Sequence, residues 1–298
     1  MSTYNGEKFL LEQIDSIFTQ KTNAEISLYV RDDGSNDRTI EILEKYKKQN
    51  NVDIEIYQGA NAGPADSFLD AIRKCPIADY YAFCDQDDVW EDNKLSVALD
   101  EIGEDEKPCL WISNYAVVNT DLQIIIPKAI TTPCTDDLRV IFYNNVPGCV
   151  MVFNRQLLYA LRKMDIDAIR MHDIMALNIA LICGKVKFHQ ESLIKYRQHG
   201  NNAVGFSHKK TNIFKWIKQK LHLLVHKEKY STAKYALQIL DKFSEYLTDE
   251  QIKEYSLIAK AEISLKARII LLHKHYTKQK FGRTSLSIRC KILFGLML

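Results

Sequence analysis

The stretch that most limits what this chain can become is Tyr80-Tyr81-Ala82-Phe83-Cys84-Asp85-Gln86-Asp87-Asp88-Val89-Trp90, a strand-like apolar run that ends in three carboxylates within four residues. Carboxylates crowded where a buried strand emerges repel one another, so the arrangement is costly unless a cation is usually present. Oxygen ligands select a hard ion. One or two carboxylates, completed by water and phosphate oxygens, describe how Mg2+ or Mn2+ is held at a nucleotide diphosphate. The same residues also read as an acidic turn capping the next helix, with Asp88 or Asp92 as N-cap ahead of Lys94 to Leu99.

Around this stretch the first hundred residues alternate in character. A turn at Ser2 to Glu7 leads into Phe9, Leu10, Ile14, Ile17 and Phe18 at helical spacing. A strand should precede that turn, so a truncated first strand is expected. Ile26 to Val30 reads as a strand entering the polar turn Arg31-Asp32-Asp33-Gly34-Ser35-Asn36-Asp37, followed by a helix through Ile40, Leu43 and Tyr46. The unit repeats as strand Val52 to Tyr57, turn Gly59 to Pro64 and a helix through Phe68, Leu69 and Ile72, with Pro64 where a first helical turn accepts it. Alternation of this kind predicts an α/β fold with a mostly parallel sheet and ligands beyond the strand C-termini. Further strands are expected at Leu110 to Val118, Ile124 to Ile126, the run ending at Phe153, Lys185 to His189 and Ser192 to Tyr196. Helices are expected at Asp136 to Tyr143, Arg155 to Met164 and Ile174 to Cys183.

A net charge of +2 hides an asymmetry: residues 206–298 hold 19 Lys and Arg against 7 Asp and Glu, while residues 1–205 carry a balance of −10. The division predicts an acidic unit over 1–205, suited to a metal-dependent site, and a basic, helical C-terminal region over 206–298, suited to an anionic surface. In that region Ile213, Trp216, Ile217, Leu221, Leu224 and Val225 mark an apolar face beside Lys215, Lys218 and Lys220, a pattern that fits a membrane interface or a helical subdomain packed on the core. Its aromatics form no stacking platform, so nucleic acid is not an expected partner. His222 and His226, spaced i,i+4 without a third ligand, read as a basic helix face. No apolar run reaches the roughly 18 residues that span a bilayer. Seven scattered cysteines without a Cys-x-x-Cys pair read as reduced thiols of a cytosolic protein.

Ser2-Thr3-Tyr4-Asn5-Gly6, Arg31-Asp32-Asp33-Gly34-Ser35, Asn61-x-Gly63, Asp85-Gln86-Asp87-Asp88-Val89-Trp90, Met171-His172-Asp173 and Tyr196-Arg197-Gln198-His199, in this order, closely resemble the inverting glycosyltransferases of family 2, nearest to bacterial rhamnosyltransferases that build cell-surface polysaccharide. The resemblance spans about residues 1–205. It implies a GT-A fold, a Rossmann-like mixed sheet, and a nucleotide-sugar donor, dTDP-rhamnose or a UDP-hexose. It also implies a lipid-linked or polysaccharide acceptor and a cytoplasmic enzyme that can sit peripherally on the inner face of the cell membrane. Thr3, Tyr4 and Glu7 would line the nucleotide pocket, and Asp32 and Asp33 would accept hydrogen bonds from the pyrimidine. Asp85 would meet the ribose or the metal, Asp87 the Mn2+ or Mg2+ on the diphosphate, and Asp173 would be the general base. His199 would be a third metal ligand and Arg197 a phosphate contact. The Gln-x-x-Arg-Trp run of processive members is missing, which implies addition of one or a few sugars.

Other readings stand beside these. Asp173 also suits an N-cap, His199 a loop-stabilising residue, and Asp32 and Asp33 plain turn formers. Dehydrogenase and phosphate-loop glycine motifs are absent. An inactive transferase-like scaffold is the non-enzymatic alternative, and donor hydrolysis with Mn2+ separates it from an enzyme.

Overall fold

The structure, a computed structural model, describes residues 1–104, 106–165, 171–199, 231–274 and 292–293. The loop 200–205, the 213–225 face with His222 and His226, and most of the tail from Arg283 lie outside them.

Ser2–Thr3 form a short strand, β1, parallel to β2 (Ser27–Asp32), which is parallel to β3 (Asp53–Gln58). Helices α1 (Leu10–Phe18), α2 (Thr39–Asn50) and α3 (Pro64–Lys74) alternate with them as the periodicity predicts. Pro64 opens α3 directly after Gly63, whose φ of 86° is open to glycine at little cost. Of the first strand, Ser2 and Thr3 pair with Arg31 and Asp32, and the Met1 amine donates to the Tyr29 carbonyl at 2.8 Å. Beside them an apolar cleft of about 640 Å3, lined by residues such as Leu28, Phe68, Tyr81 and Phe83, lies between β2 and β4 (Tyr80–Ala82).

Strands β1, β2 and β3 form one sheet, and a second, six-stranded sheet runs β4-β8-β6-β9-β5, with β7 on β6, where β5 is Val89–Trp90, β6 Cys109–Val118, β7 Ile124–Ile126, β8 Met151–Asn154 and β9 Lys185–Arg197. Among the described strands of this second sheet only β6 and β9 are parallel, so the expectation of a mostly parallel sheet holds for the first sheet alone. The two strands expected at Lys185 to His189 and Ser192 to Tyr196 are one strand. Both halves pair with β6, and Gln190 and Glu191 form a bulge where Ser113 and Asn114 meet His189 and Ser192. The helix expected over Asp136 to Tyr143 shrinks to α5 (Asp137–Val140), capped by the Asp136 carboxylate on the Arg139 N–H. Asn144 ends the segment by bonding both the N–H and the carbonyl of Val146, a side-chain competitor to helical hydrogen bonds.

Strand β6 is buried at every position, between one apolar cluster that takes Leu110, Ile112 and Val117 and a smaller one that joins Trp111 to Ala98 and Ile102 of α4 (Lys94–Ile102). Beyond β8, α6 (Arg155–Arg162) leads to α7 (His172–Cys183), which buries Met175, Ala176, Leu177, Ile179 and Ala180 and so is apolar nearly all round. A helix of that kind must be covered on several sides. In the C-terminal region α8 (Thr232–Phe243), α9 (Asp249–Lys260) and α10 (Leu265–Leu271) share the main core through Tyr235, Ile239, Phe243, Tyr255 and Ile258.

A buried polar network makes that junction specific. Asn178 of α7 donates to the Asp137 carbonyl at 2.8 Å and to the Tyr255 hydroxyl at 3.0 Å, and accepts from the Tyr235 hydroxyl at 2.7 Å. Tyr255 in turn donates to the Asp137 carboxylate at 3.1 Å. Because each orphaned partner would cost about 1–3 kcal/mol, the network ties the C-terminal helices to α7 in one register.

Candidate active site

The acidic loop follows β4. Phe83 anchors it between Phe68 and Phe153, at ring-centre distances of 5.7 and 5.0 Å, and Cys84 is buried behind it. Gln86 then turns back to the first loop, its amide bracketing Tyr4: Oε1 accepts from the Tyr4 N–H at 2.8 Å and Nε2 donates to the Tyr4 carbonyl at 3.0 Å. A Cβ on Gly6 would fall 2.3 Å from that Gln86 oxygen, so a larger residue there would push the Gln86 amide off Tyr4.

The capping alternative for the acids does not hold. Asn93 occupies the N-cap of α4. Asp88 is fully buried, with Oδ1 accepting the Arg197 N–H at 3.1 Å and Oδ2 lacking a hydrogen-bond partner. Asp85 and Asp87 are half-buried. Burial first, then the fields of Asp87 and Asp173, push Asp85 up to about 7. Burial together with Asp85 and Asp87 raises Asp88 well above the carboxylate range.

Asp87 and His199 are in contact, with Nε2 2.7 Å from Oδ2, and the His199 ring stacks on Phe9 at 5.0 Å. Among the described residues Asp85, Asp88 and Cys149 also bring ligand atoms within 4.8 Å of one another. Burial and the fields of Asp88 and Asp85 push the Cys149 thiol far up, so its sulfur stays protonated and suits a hard ion poorly. The mutually repelling carboxylates and the orphaned Asp88 oxygen fit a cation at this loop. Of the expected ligands, Asp87 and His199 meet each other, while Asp85 groups with Asp88 and Cys149.

Arg197, expected at phosphate, is turned inward. Its Nε donates to the Asp87 carbonyl at 2.9 Å, Nη1 to the Thr120 carbonyl at 2.6 Å and Nη2 to Glu12, while the guanidinium lies over Phe9. In this structure the guanidinium clamps the acidic loop, because backbone oxygens and Glu12 take up its donors. Glu12 is a partner the sequence reading missed. It lies one turn along α1 from Phe9, and nothing in its spacing marks it.

Thr3 donates to Asp32 Oδ1 at 2.9 Å, and Asp32 also accepts from the Gly34 and Ser35 N–H groups and the Ser35 hydroxyl. Asp33 accepts from Arg31 and from the Ala62 and Gly63 N–H groups, both at 2.8 Å. These two aspartates therefore shape the Gly34 and Gly63 turns. Tyr4 is 45% exposed, and Glu7 accepts from the Arg38 N–H at 3.1 Å at the rim.

Asp173 sits in the first turn of α7, one residue inside the helix start; Met171 is its N-cap, so Asp173 is not the cap. Burial pushes its carboxyl up to about 6 against stabilising bonds from the Ile174 N–H and Asn144. His172 beside it is buried between Phe68, at 3.9 Å, and Phe83, at 4.7 Å. Burial holds its imidazole neutral, with the pKa down at about 3. A Cβ on Gly148 would fall 2.3 Å from His172 Nε2, so this glycine admits the ring. The acidic loop and the start of α7, two separate segments, thus come close enough that the fields of Asp87 and Asp173 both reach Asp85.

Residues 1–158 match the family model described as Glycosyl transferase family 2. The dTDP-rhamnosyl transferase RfbG of Shigella flexneri is 29% identical over 216 residues, which cover 69% of this chain and 73% of that protein. Among solved structures, Staphylococcus aureus TarS in complex with UDP-GlcNAc superposes with a TM-score of 0.56 at 16% identity, over 99% of this chain and 88% of that one. GalNAc-T7 with UDP, GalNAc and Mn2+ gives 0.57 at 14% identity, over 97% of this chain and 53% of that one. These likenesses establish the GT-A fold.

Proposed function

This chain belongs to glycosyl transferase family 2, and from that premise we propose that it is an inverting, metal-dependent transferase moving rhamnose from dTDP-rhamnose to a growing bacterial cell-surface polysaccharide. The observation that supports the reading is the acidic loop itself, where Asp85, Asp88 and Cys149 bring ligand atoms within 4.8 Å of one another and Asp87 meets His199 at 2.7 Å, with Asp173 near enough for its field to reach Asp85. Asp85, Asp87 and His199 would hold Mn2+ or Mg2+, which when bound supplies positive charge for the diphosphate oxygens. Thr3, Tyr4, Glu7, Asp32 and Asp33 form the nucleotide side of the pocket. Arg197 serves it indirectly, by fixing the Asp87 backbone.

Asp173 takes the proton of the acceptor hydroxyl as that oxygen attacks the anomeric carbon. The bond from that carbon to the β-phosphate oxygen breaks on the opposite face, and the nucleoside diphosphate departs with the electron pair, inverting the centre. A carboxyl near 6 is ionised at neutral pH yet basic enough to accept this proton.

The name of RfbG supports a dTDP-rhamnose donor, and the UDP-GlcNAc of the TarS complex keeps a UDP-hexose as second reading. A donor panel with Mn2+ separates them. dTDP-rhamnose is expected to be cleaved fastest, with slow hydrolysis when no acceptor is present. Turnover of UDP-hexoses alone would move the assignment to them, and no cleavage of any donor would leave an inactive scaffold.

Among the described residues no helix is long and apolar enough to cross a membrane. Exposed Ile263, Leu265, Ile269 and Ile270, beside Lys266 and Arg268, support a peripheral site on the inner face of the cell membrane, where a lipid-linked acceptor would reside. Co-sedimentation with anionic vesicles should weaken as salt is raised; binding indifferent to salt and lipid charge would reject this part.

A further inference from the structure

The two sheets face each other across the apolar cleft between β2 and β4, and both of the strand edges that border it are open. On the β2 side the β1 ladder stops at Met1, whose amine donates to the Tyr29 carbonyl at 2.8 Å and whose carbonyl accepts the Arg31 N–H at 3.0 Å. Ser2 pairs with Arg31 and Thr3 with Asp32, so Met1 lies opposite Val30. Beyond it, Ile26 to Tyr29 line the cleft. In a parallel ladder alternate residues turn their backbone to the same neighbour. Arg31 bonds towards β1, so the Tyr29 N–H and the Ser27 carbonyl point into the cleft.

The opposite edge belongs to β4. The Arg155 N–H donates to the Asp79 carbonyl at 2.9 Å and the Phe83 N–H to the Met151 carbonyl at 3.3 Å, so Asp79, Tyr81 and Phe83 face β8. Tyr80 and Ala82 therefore turn their backbone groups towards the cleft, and among the described residues no strand pairs with that edge. Backbone donors beside apolar walls such as Leu28, Phe68, Ile72 and Phe153 are costly unless paired, and an open edge is a template for another strand.

Size and charge narrow what fits. With about 4.8 Å between strands, about 10 Å of sheet thickness and about 3.3 Å of rise per residue, a cleft of about 640 Å3 houses about four residues of strand. The β1 register, continued past Met1, sets the same length opposite Ile26 to Tyr29. Where such a strand would enter, exposed Glu25 precedes β2 and exposed Asp53 lies opposite Ser27. No lysine or arginine is among the described residues that line the cleft.

We propose that this cleft is a strand slot, taking an extended peptide segment of about four apolar residues with a basic residue ahead of them, parallel to β2, that joins the two sheets into one. Its backbone pairs with Ser27 and Tyr29 on one side and with Tyr80 and Ala82 on the other. Its side chains meet the apolar walls on both faces, and the basic residue meets Glu25 and Asp53. The slot stands apart from the transferase reading, since none of the residues assigned to donor, metal or base lines it.

Amide hydrogen exchange on the unmodified protein tests the proposal. The probe is a peptide of one lysine followed by four alternating valines and isoleucines, blocked at both ends, and the control is a glycine-serine peptide of equal length. The apolar peptide is expected to slow exchange at the Tyr29, Tyr80 and Ala82 amides by about 10-fold or more, and the control to leave them unchanged. In a second experiment the same two sequences are fused ahead of Met1, where both remove the charge of the amine and keep an N–H for Tyr29. The apolar fusion should melt about 5 °C or more above the glycine-serine one. Unprotected amides, or equal effects of the two sequences, would overturn the proposal. So would amides already protected in an unmodified protein that light scattering shows to be a dimer, because a second copy would then fill the slot. If the apolar fusion does not fold, the added peptide decides.

Discussion

Asp173→Asn is expected to lower sugar transfer by roughly 10^3-fold, the scale of a lost general base, while the affinity for UDP or dTDP with Mn2+ stays near wild type. Asparagine is nearly isosteric and can still accept the Ile174 N–H at the helix start, so the fold around α7 should survive. The variant separates chemistry from binding. A pH profile adds a second check. Burial raises the Asp173 carboxyl to about 6, and only its ionised form accepts a proton, so the wild-type rate should fall as pH drops through about 6. An Asn variant with full activity, or a wild-type profile flat through that range, would remove Asp173 from the role of base. Asn144 and His172 would then be the groups at the same helix start to test next.

Asp87→Asn should act on the other half of the reaction. Wild type heated with UDP or dTDP plus Mn2+ should melt at a higher temperature than with either component alone, since a ligand at 100 times its Kd stabilises the fold by about 2.7 kcal/mol. For a chain of this size that corresponds to a midpoint rise of several degrees, at about 2–4 °C per kcal/mol. Asparagine can keep the contact with His199 but lacks the charge that an ion requires. The joint shift should vanish in the variant, and a chelator should remove it from wild type. A shift that persisted in Asp87→Asn would place the ion, if any, on the inner Asp85 and Asp88 pair.

These expectations differ in how much of them the sequence could carry. The periodic positions Leu10, Ile14 and Ile17, Leu43, and Phe68, Leu69 and Ile72 identify α1, α2 and α3 because a surface helix must bury one stripe, and the same residues are buried in the fold. The short strands were less legible. Whether Lys185 to Tyr196 makes one strand or two depends on β6, whose Ser113 and Asn114 decide where the bulge falls. Arg197 illustrates the same limit in the site: its type and place in the Tyr196 to His199 run suited phosphate, yet Glu12, Asp87 and Thr120, from three other segments, take up its donors. The burial of Lys94 carried no signal at all, since a lysine at the start of a helix looks exposed until the turn at Cys149 closes over it.

What the sequence determined by itself was the alternation of strand and helix, the family, and the chemistry of the acids, because side-chain period and ionisable groups are properties of the chain before it folds. The tertiary structure alone decided which acids come together and which of them burial drives towards the neutral form. Those outcomes depend on burial and on distances between segments far apart in the chain, and the energy of a charge is set by the medium and the neighbours that folding gives it.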